Sequence, residues 1–172
     1  FVTDTFYTKA KLSFETNGGN EVDTVEVYTN AKINQPADPE KEGYFFDGWY
    51  ADADLTNKFD FATGIAADAT IYVKWLKGVK VIYANTGDTA VETVVVKPGA
   101  AIAQPSVTPV KNDQYFNGWY ADEECTTAFD FAAGVAEDTV VYAGWRNPVK
   151  VAFNSNGGSA IEDIYTDVNV AI

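Results

Sequence analysis

Leu12 and Phe14 alternate with Lys11, Ser13 and Glu15, the two-residue period of a half-buried strand. Val25 and Val27 alternate in the same way with Thr24, Glu26 and Tyr28. Between the two runs stands Asn17-Gly18-Gly19, and Asn-Gly readily takes the positive φ angles of a tight hairpin turn. From Asn30 to Gly43 the pattern lapses, and Pro36 and Pro39 disfavour both a central strand and a continuous helix. Tyr44 to Tyr50 reads as a further strand. Asp52 to Lys58 leaves room for one short helical turn, with Asp52 as its N-cap. Ile71, Val73 and Trp75, alternating with Tyr72 and Lys74, form a closing strand. The pattern predicts an α+β, β-dominated unit of four to five strands with at most one short helix.

The same pattern then recurs. Gly48-Trp49-Tyr50-Ala51-Asp52 returns as Gly118-Trp119-Tyr120-Ala121-Asp122, and Phe59-Asp60-Phe61 as Phe129-Asp130-Phe131, each 70 residues on. Tyr72 and Trp75 return as Tyr142 and Trp145. The run Lys11-Leu12-Ser13-Phe14 returns 69 residues later as Lys80-Val81-Ile82-Tyr83, and again as Lys150-Val151-Ala152-Phe153. The one-residue difference lies between the prolines, since Pro36 and Pro39 are three apart and Pro105 and Pro109 four apart. A fixed period of this size marks a tandem array. Residues 11–76 are read as repeat 1, 79–146 as repeat 2 and 149–172 as the start of a truncated repeat 3. Residues 1–10 are read as the end of a preceding unit or a cap, because Asp4-Thr5-Phe6-Tyr7 echoes Asp138-Thr139-Val140-Val141-Tyr142 less one residue. Ala10 then stands where the closing Trp would be.

Composition agrees with strands. Of 172 residues, 47% are hydrophobic and 15% aromatic, enough for packed cores. Leu12, Leu55 and Leu76 are the only leucines, whereas Val, Tyr, Phe and Thr abound, and these fit a pleated, half-buried surface. The net charge of −13 repels phosphate backbones and anionic lipid, so no nucleic-acid partner is expected. No apolar run is long enough for a membrane span, so no membrane insertion of this stretch is expected. The sequence carries no Met and no signal peptide, and it is expected to be an internal piece of a longer product.

The combination Asn17-Gly18-Gly19, Pro36 and Pro39, Glu42-Gly43-Tyr44, Gly48-Trp49-Tyr50, Phe59-Asp60-Phe61 and Tyr72-x-x-Trp75 resembles the Listeria–Bacteroides repeat, the class that includes the internalin B-repeat. The second copy departs from it at Asn85-Thr86-Gly87 and at Asp113-Gln114-Tyr115, where the Gly before Tyr is lost. The resemblance implies tandem β-grasp-like repeats displayed outside a bacterial cell, at its surface. It implies no catalytic residues. Its associations are adhesion, host contact and spacing.

The chain has no His, which removes the commonest general base and transition-metal ligand. Cys125, the single cysteine, occupies the position of Leu55 in the first copy and reads as a space-filling side chain rather than a nucleophile. The carboxylate pairs Asp52 with Asp60 and Asp122 with Asp130 have the residue types of a glycosidase, but a small repeat offers little room for a cleft. Asp52, Asp54, Asp122, Glu123 and Glu124 have the hard oxygen ligands Ca²⁺ requires, without the Gly and distant Glu of a full calcium loop. No cofactor is expected. Strict alternation places Phe46, Gly48 and Tyr50 on one strand face and Asp47, Trp49 and Ala51 on the other. Trp49 and Trp119 then share a face with polar neighbours, either covered by the Phe-Asp-Phe segment or open to a ligand. The function expected is that of non-catalytic spacer and interaction repeats of a bacterial cell-surface protein, projecting an adhesive or receptor-binding region. The alternative is direct binding of a host or neighbouring surface protein, or of a glycan, by the repeats themselves. A carboxylate glycosidase is the remote third reading.

Overall fold

The computed structural model describes residues 8–168 and divides into two compact units, with the boundary after Gly78. In the first, β1 (Lys9–Glu15), β2 (Val25–Tyr28), β3 (Tyr44–Tyr50) and β4 (Ala69–Lys77) form one sheet in the order β2-β1-β4-β3. The two central strands, β1 and β4, run parallel, with Leu12 opposite Ala69 and Glu15 opposite Tyr72. Antiparallel β2 and β3 flank them. In the second unit β5 (Val79–Ala84), β6 (Val94–Val96), β7 (Tyr115–Tyr120) and β8 (Thr139–Arg146) repeat this order as β6-β5-β8-β7, again with a parallel central pair. A separate antiparallel hairpin follows, β9 (Val149–Val151) with β10 (Ile164–Thr166).

The alternation read from sequence becomes the buried face of each sheet. Leu12, Ile71 and Val73 are fully buried in the first unit, Val81 and Val141 in the second. Each such side chain contributes roughly 1.5–3 kcal/mol relative to exposure. Ala10 is buried in the first core as well. β1 therefore begins inside the segment read as a preceding unit, and Ala10 corresponds to Val79 at the head of β5, not to a degenerate closing Trp. Its small side chain gave no hydrophobic signal. The Asp4-Thr5-Phe6-Tyr7 echo lies outside the described residues.

Among the described residues there is no helix, so the short helical turn for which residues 52–58 leave room is not formed. Residues 52–58 form hydrogen-bonded turns, and Leu55 at φ 55° takes a left-handed conformation that ends any helical course. Strict alternation along β3 also fails. Phe46 lies opposite Trp75 and Gly48 opposite Lys74, so Asp47 is the extra residue of a β-bulge. Gly48 takes φ 150° there, which a side chain would resist. The bulge reverses the alternation, so Phe46 and Trp49 both reach the core, their rings 5.6 Å apart. Asn117 and Gly118 repeat the device in β7.

Candidate functional site

Trp49 and Trp119, the candidate ligand contacts, are only 3% and 5% exposed. Trp49 stands at the centre of an edge-to-face cluster, with Phe14 at 5.2 Å, Phe46 at 5.6 Å and Phe61 at 6.4 Å between ring centres. The Phe59 amide donates to the Trp49 carbonyl and holds the Phe-Asp-Phe segment over it. Trp119 has the same surroundings, with Tyr83 at 5.1 Å and Phe116 at 5.3 Å, and the Phe129 amide on its carbonyl. Such pairs add about 0.5–1.5 kcal/mol each to the area they bury. Both indoles are therefore core, not ligand contacts, and the bulge is the reason sequence alternation misplaced them.

The acidic turns are spent locally. Asp52 accepts from the Thr56 amide and hydroxyl through Oδ1 (both 3.1 Å) and from the Asn57 amide through Oδ2 (2.7 Å). Asp122 repeats this with Thr126 and Thr127. Asp60 accepts from the Ala62 amide and the Thr63 hydroxyl. These hydrogen bonds hold the three carboxyls below their ordinary pKa: chiefly the backbone N–H of Thr56 for Asp52, of Ala62 for Asp60 and of Thr126 for Asp122. A glycosidase needs the opposite shift on one member of its pair, so that it stays protonated as the general acid. For Ca²⁺, no group of three or more Asp, Glu, His or Cys side chains is placed to hold a metal ion among the described residues. Asp52 and Asp122 turn inward to their own loops instead of converging with Asp54, Glu123 and Glu124.

Two hollows occupy equivalent places beside the first hairpin of each unit. In the first unit a hollow of 540 Å³ is lined by Glu15, Glu21 and Asp23. In the second a hollow of 250 Å³ is lined by Tyr83, Ala90, Val91, Glu92 and Val107. The corresponding acids have become Ala84 and Ala90, and only Glu92 keeps its carboxylate. A third hollow, of 290 Å³, meets a single carboxylate, Asp60. Among these three hollows no carboxylate arrangement is shared by the two copies.

What the copies share is a set of bonds that close the sheet. Asn17 takes φ 50°, and its Nδ2 donates to the Val73 carbonyl at 2.7 Å. Asn85, at φ 56°, donates likewise to Ala143 at 2.8 Å. A fixed offset would pair Asn17 with Thr86; the turn of the second copy is one residue displaced, and Asn85 takes the role. Trp75 Nε1 donates to Thr16 O at 2.8 Å, and Trp145 Nε1 to Asn85 O at 2.7 Å. Asp68 accepts the Lys11 amide at 2.7 Å and Asp138 the Lys80 amide at 2.8 Å, which starts the parallel pairing. Sequence reading weighed neither Asp68 nor Asp138; their equal spacing from the closing Trp was the available signal.

One contact is rebuilt between copies. In the first unit Lys74 lies 3.9 Å from Asp47 and 5.1 Å above the Tyr50 ring, and the Tyr50 hydroxyl meets Asp47 at 3.2 Å. The second unit has Gly144 and Asn117 at these positions. Asn117 donates to the Tyr120 hydroxyl at 2.7 Å, and the Tyr120 ring fills the space where a Gly144 side chain would stand. Cation and anion have been lost together. Cys125 lies half-buried at φ 54°, matching Leu55, with Sγ 3.9 Å from the Ala143 carbonyl. Desolvation, then the charges of Asp122 and Glu124, push its thiol pKa up, away from nucleophilic thiolate character.

Residues 11–74 and 80–144 each match the Listeria-Bacteroides repeat domain. A protein of Evansella cellulosilytica described as a Gly-rich membrane protein is 39% identical over 160 residues, covering 91% of this chain and 18% of that relative. A second protein of the same organism, described as a membrane protein, is 38% identical over 165 residues, covering 94% of this chain and 25% of the relative. Internalin H of Listeria monocytogenes is 32% identical over 114 residues, 64% of this chain and 20% of its own length. The chain thus spans a quarter or less of the length of these relatives.

Proposed function

Because the chain belongs to the Listeria-Bacteroides repeat family, with two copies in tandem, we propose that it supplies non-catalytic spacer and interaction modules to a larger protein of the bacterial surface, projecting an adhesive or receptor-binding region. The observation that carries this reading is the parallel pairing of the first and last strands of each unit. In a parallel pair, the start of one strand and the end of the other lie at opposite poles. Each unit therefore receives the chain at one end and releases it at the other, as a spacer must. Gly78 alone separates β4 from β5, too short a link to act as a free tether. The β2-β1-β4-β3 order also supports reading each unit as β-grasp-like, with turns in place of the helix. The relatives described as membrane proteins and as an internalin support an extracellular location.

Display on a cell surface tests the reading. An antibody epitope placed ahead of the chain becomes more accessible with each unit added between it and the anchor, while the purified chain shows no saturable binding to host proteins or glycans. The second reading, direct recognition by the repeats, is favoured by the apolar hollow of the second unit with the exposed Val94 and Val107. Saturable binding lost on substitution of those residues would replace the spacer reading with it.

A further inference from the structure

The two sheets bury equivalent faces and differ on the opposite one. In the first unit the register sets Lys11 opposite Glu26, Ser13 opposite Thr70, Glu15 opposite Tyr72 and Lys74 opposite Gly48. In the second the same places hold Lys80 opposite Val95, Ile82 opposite Val140, Ala84 opposite Tyr142 and Gly144 opposite Gly118. Side chains paired across a ladder share a face. These alternate with the buried Val81 and Val141 and therefore point outward. Glu26, Ser13, Thr70, Glu15 and Lys74 are thus answered in the second unit by Val95, Ile82, Val140, Ala84 and Gly144. Ile82 is 41% and Val95 46% exposed.

Two groups on this face stand without the neighbour that their counterparts have. Lys11 faces a carboxylate across its ladder, whereas Lys80 faces Val95. The Tyr50 ring has the Lys74 ammonium 5.1 Å above it, whereas the Tyr120 ring lies over Gly144. Arg146, beyond Gly144 on β8, is committed to Asp167 and Asn117. Lys80 lies at the head of β5, and the paired Tyr142 and Tyr120 lie at the level of Ala84. Cation and rings therefore mark opposite ends of the patch, with Ile82 and Val140 between them. None of these strand positions carries a carboxylate, in a chain of net charge −13. Like charge resists contact between two copies elsewhere on so acidic a surface.

We propose that the outer face of the second unit's sheet is a self-association surface, and that its occupant is the same face of a second copy of this chain. The two sheets pack face to face about a two-fold axis that crosses the strands near Ile82 and Val140. The strands of the two copies then run antiparallel. Lys80 of each copy comes over the Tyr142 and Tyr120 end of the other, a cation–π contact. Such an interface is isologous, so each end meets its complement twice. Its centre is aliphatic, with the sheets about 10 Å apart. The patch, three strands wide over residues 80–84, spans on the order of 250 Å² per copy by strand spacing and rise. A stable complex covers about 800 Å² per partner. The contact is therefore weak between single chains and becomes effective where many copies stand side by side. It uses the flat of the unit and not its poles, so it does not depend on the spacer reading.

The test is sedimentation equilibrium of the purified chain, with amide NMR spectra, up to about 1 mM, the range of a weak contact. The apparent mass rises with concentration toward that of two chains. Amide signals of residues 80–84, of β6 and of residues 140–142 shift together, and those of β1 and β4 do not. The double variant Ile82→Ser with Val95→Glu carries the residue types that Ser13 and Glu26 place at the same register of the first unit. It keeps the melting temperature within a few degrees and weakens association at least about tenfold. Lys80→Glu, at an exposed position outside the core, weakens association as well and serves should the double variant unfold. A chain that stays monomeric to about 1 mM overturns the proposal and leaves the face to a partner of another kind. Association that these variants retain, or that shifts signals of the first unit instead, overturns it equally.

Discussion

The side-chain amide of Asn17 donates to the main-chain carbonyl of Val73, 56 positions along the chain, at 2.7 Å. A residue whose evident task is to turn the backbone at φ 50° therefore also fastens the opening turn to the closing strand. The two tasks can be separated. Asn17→Gly keeps the left-handed turn and loses the bond, a cost of about 1 kcal/mol. Asn17→Ala loses both, about 2–3 kcal/mol, because a Cβ resists this conformation. Denaturant titration followed by hydrogen exchange in β4 should rank the variants in that order, and an equal effect of the two would show that only the bond matters.

Gly144 is a space requirement. A Cβ there would lie 2.3 Å from Cε2 of Tyr120. Gly144→Ala should destabilise the second unit by about 1–3 kcal/mol through overpacking. Lys74→Ala, at the same position in the first unit, removes only a half-exposed ion pair and should cost about 1 kcal/mol or less. Separate melting of the two variants distinguishes the copies.

Cys125 exchanges with Leu55 at the same left-handed φ. Cys125→Leu should be neutral within about 0.5 kcal/mol, in line with ordinary tolerated substitutions. Cys125→Val, conservative by hydrophobicity, should cost more, about 1–2 kcal/mol, since a β-branched residue fits poorly at positive φ. The raised thiol pKa predicts slow alkylation of the native protein near neutral pH compared with the unfolded chain.

Asp52, Asp60 and Asp122 titrate lower in the folded chain than in the unfolded one. A depressed carboxyl pKa stabilises the fold above the unfolded value and ceases to do so as pH falls through the folded value. The melting temperature should therefore fall below about pH 4, the ordinary carboxylate range. Asp52→Asn with Asp122→Asn should flatten that fall and lower stability at neutral pH.

Calcium supplies a check on the acidic turns. With Asp52 and Asp122 committed to their own backbones, melting curves in chelator and in excess Ca²⁺ should agree within about a degree or two, as linkage requires of a non-ligand. A clear upward shift in Ca²⁺ would contradict the assignment of those carboxylates to turn capping.

The strands and the two tandem repeats were legible because alternation and period are properties of the sequence itself. Leu12, Ile71 and Val73, read as inward positions, are fully buried. Trp49 was misplaced because a bulge inserts Asp47 without any residue type that announces it; Gly48 beside it was the nearest hint. The closing bonds of Asn17, Asp68 and Trp75 join positions more than fifty residues apart, and no local pattern records which carbonyl or amide each will meet. The sequence leaves open whether Asp52 caps a helical turn or a tight one, since its two oxygens fit either, and the structure shows the tight turn.

The parallel neighbours β1 and β4 also decide how a unit carries load. A pull on its two ends draws the strands lengthwise past each other, because the chain enters at the head of one and leaves at the tail of the other. The ladder from Leu12–Ala69 to Glu15–Tyr72 is then stressed as a set, in shear, rather than peeled open rung by rung. The antiparallel outer strands lie off that line of force. Weak bonds acting together in this way give a small domain a tensile strength out of proportion to its free energy of folding. The second unit has the same parallel central pair, so its own ladder from Val81–Thr139 to Ala84–Tyr142 is loaded in the same way when that unit is pulled.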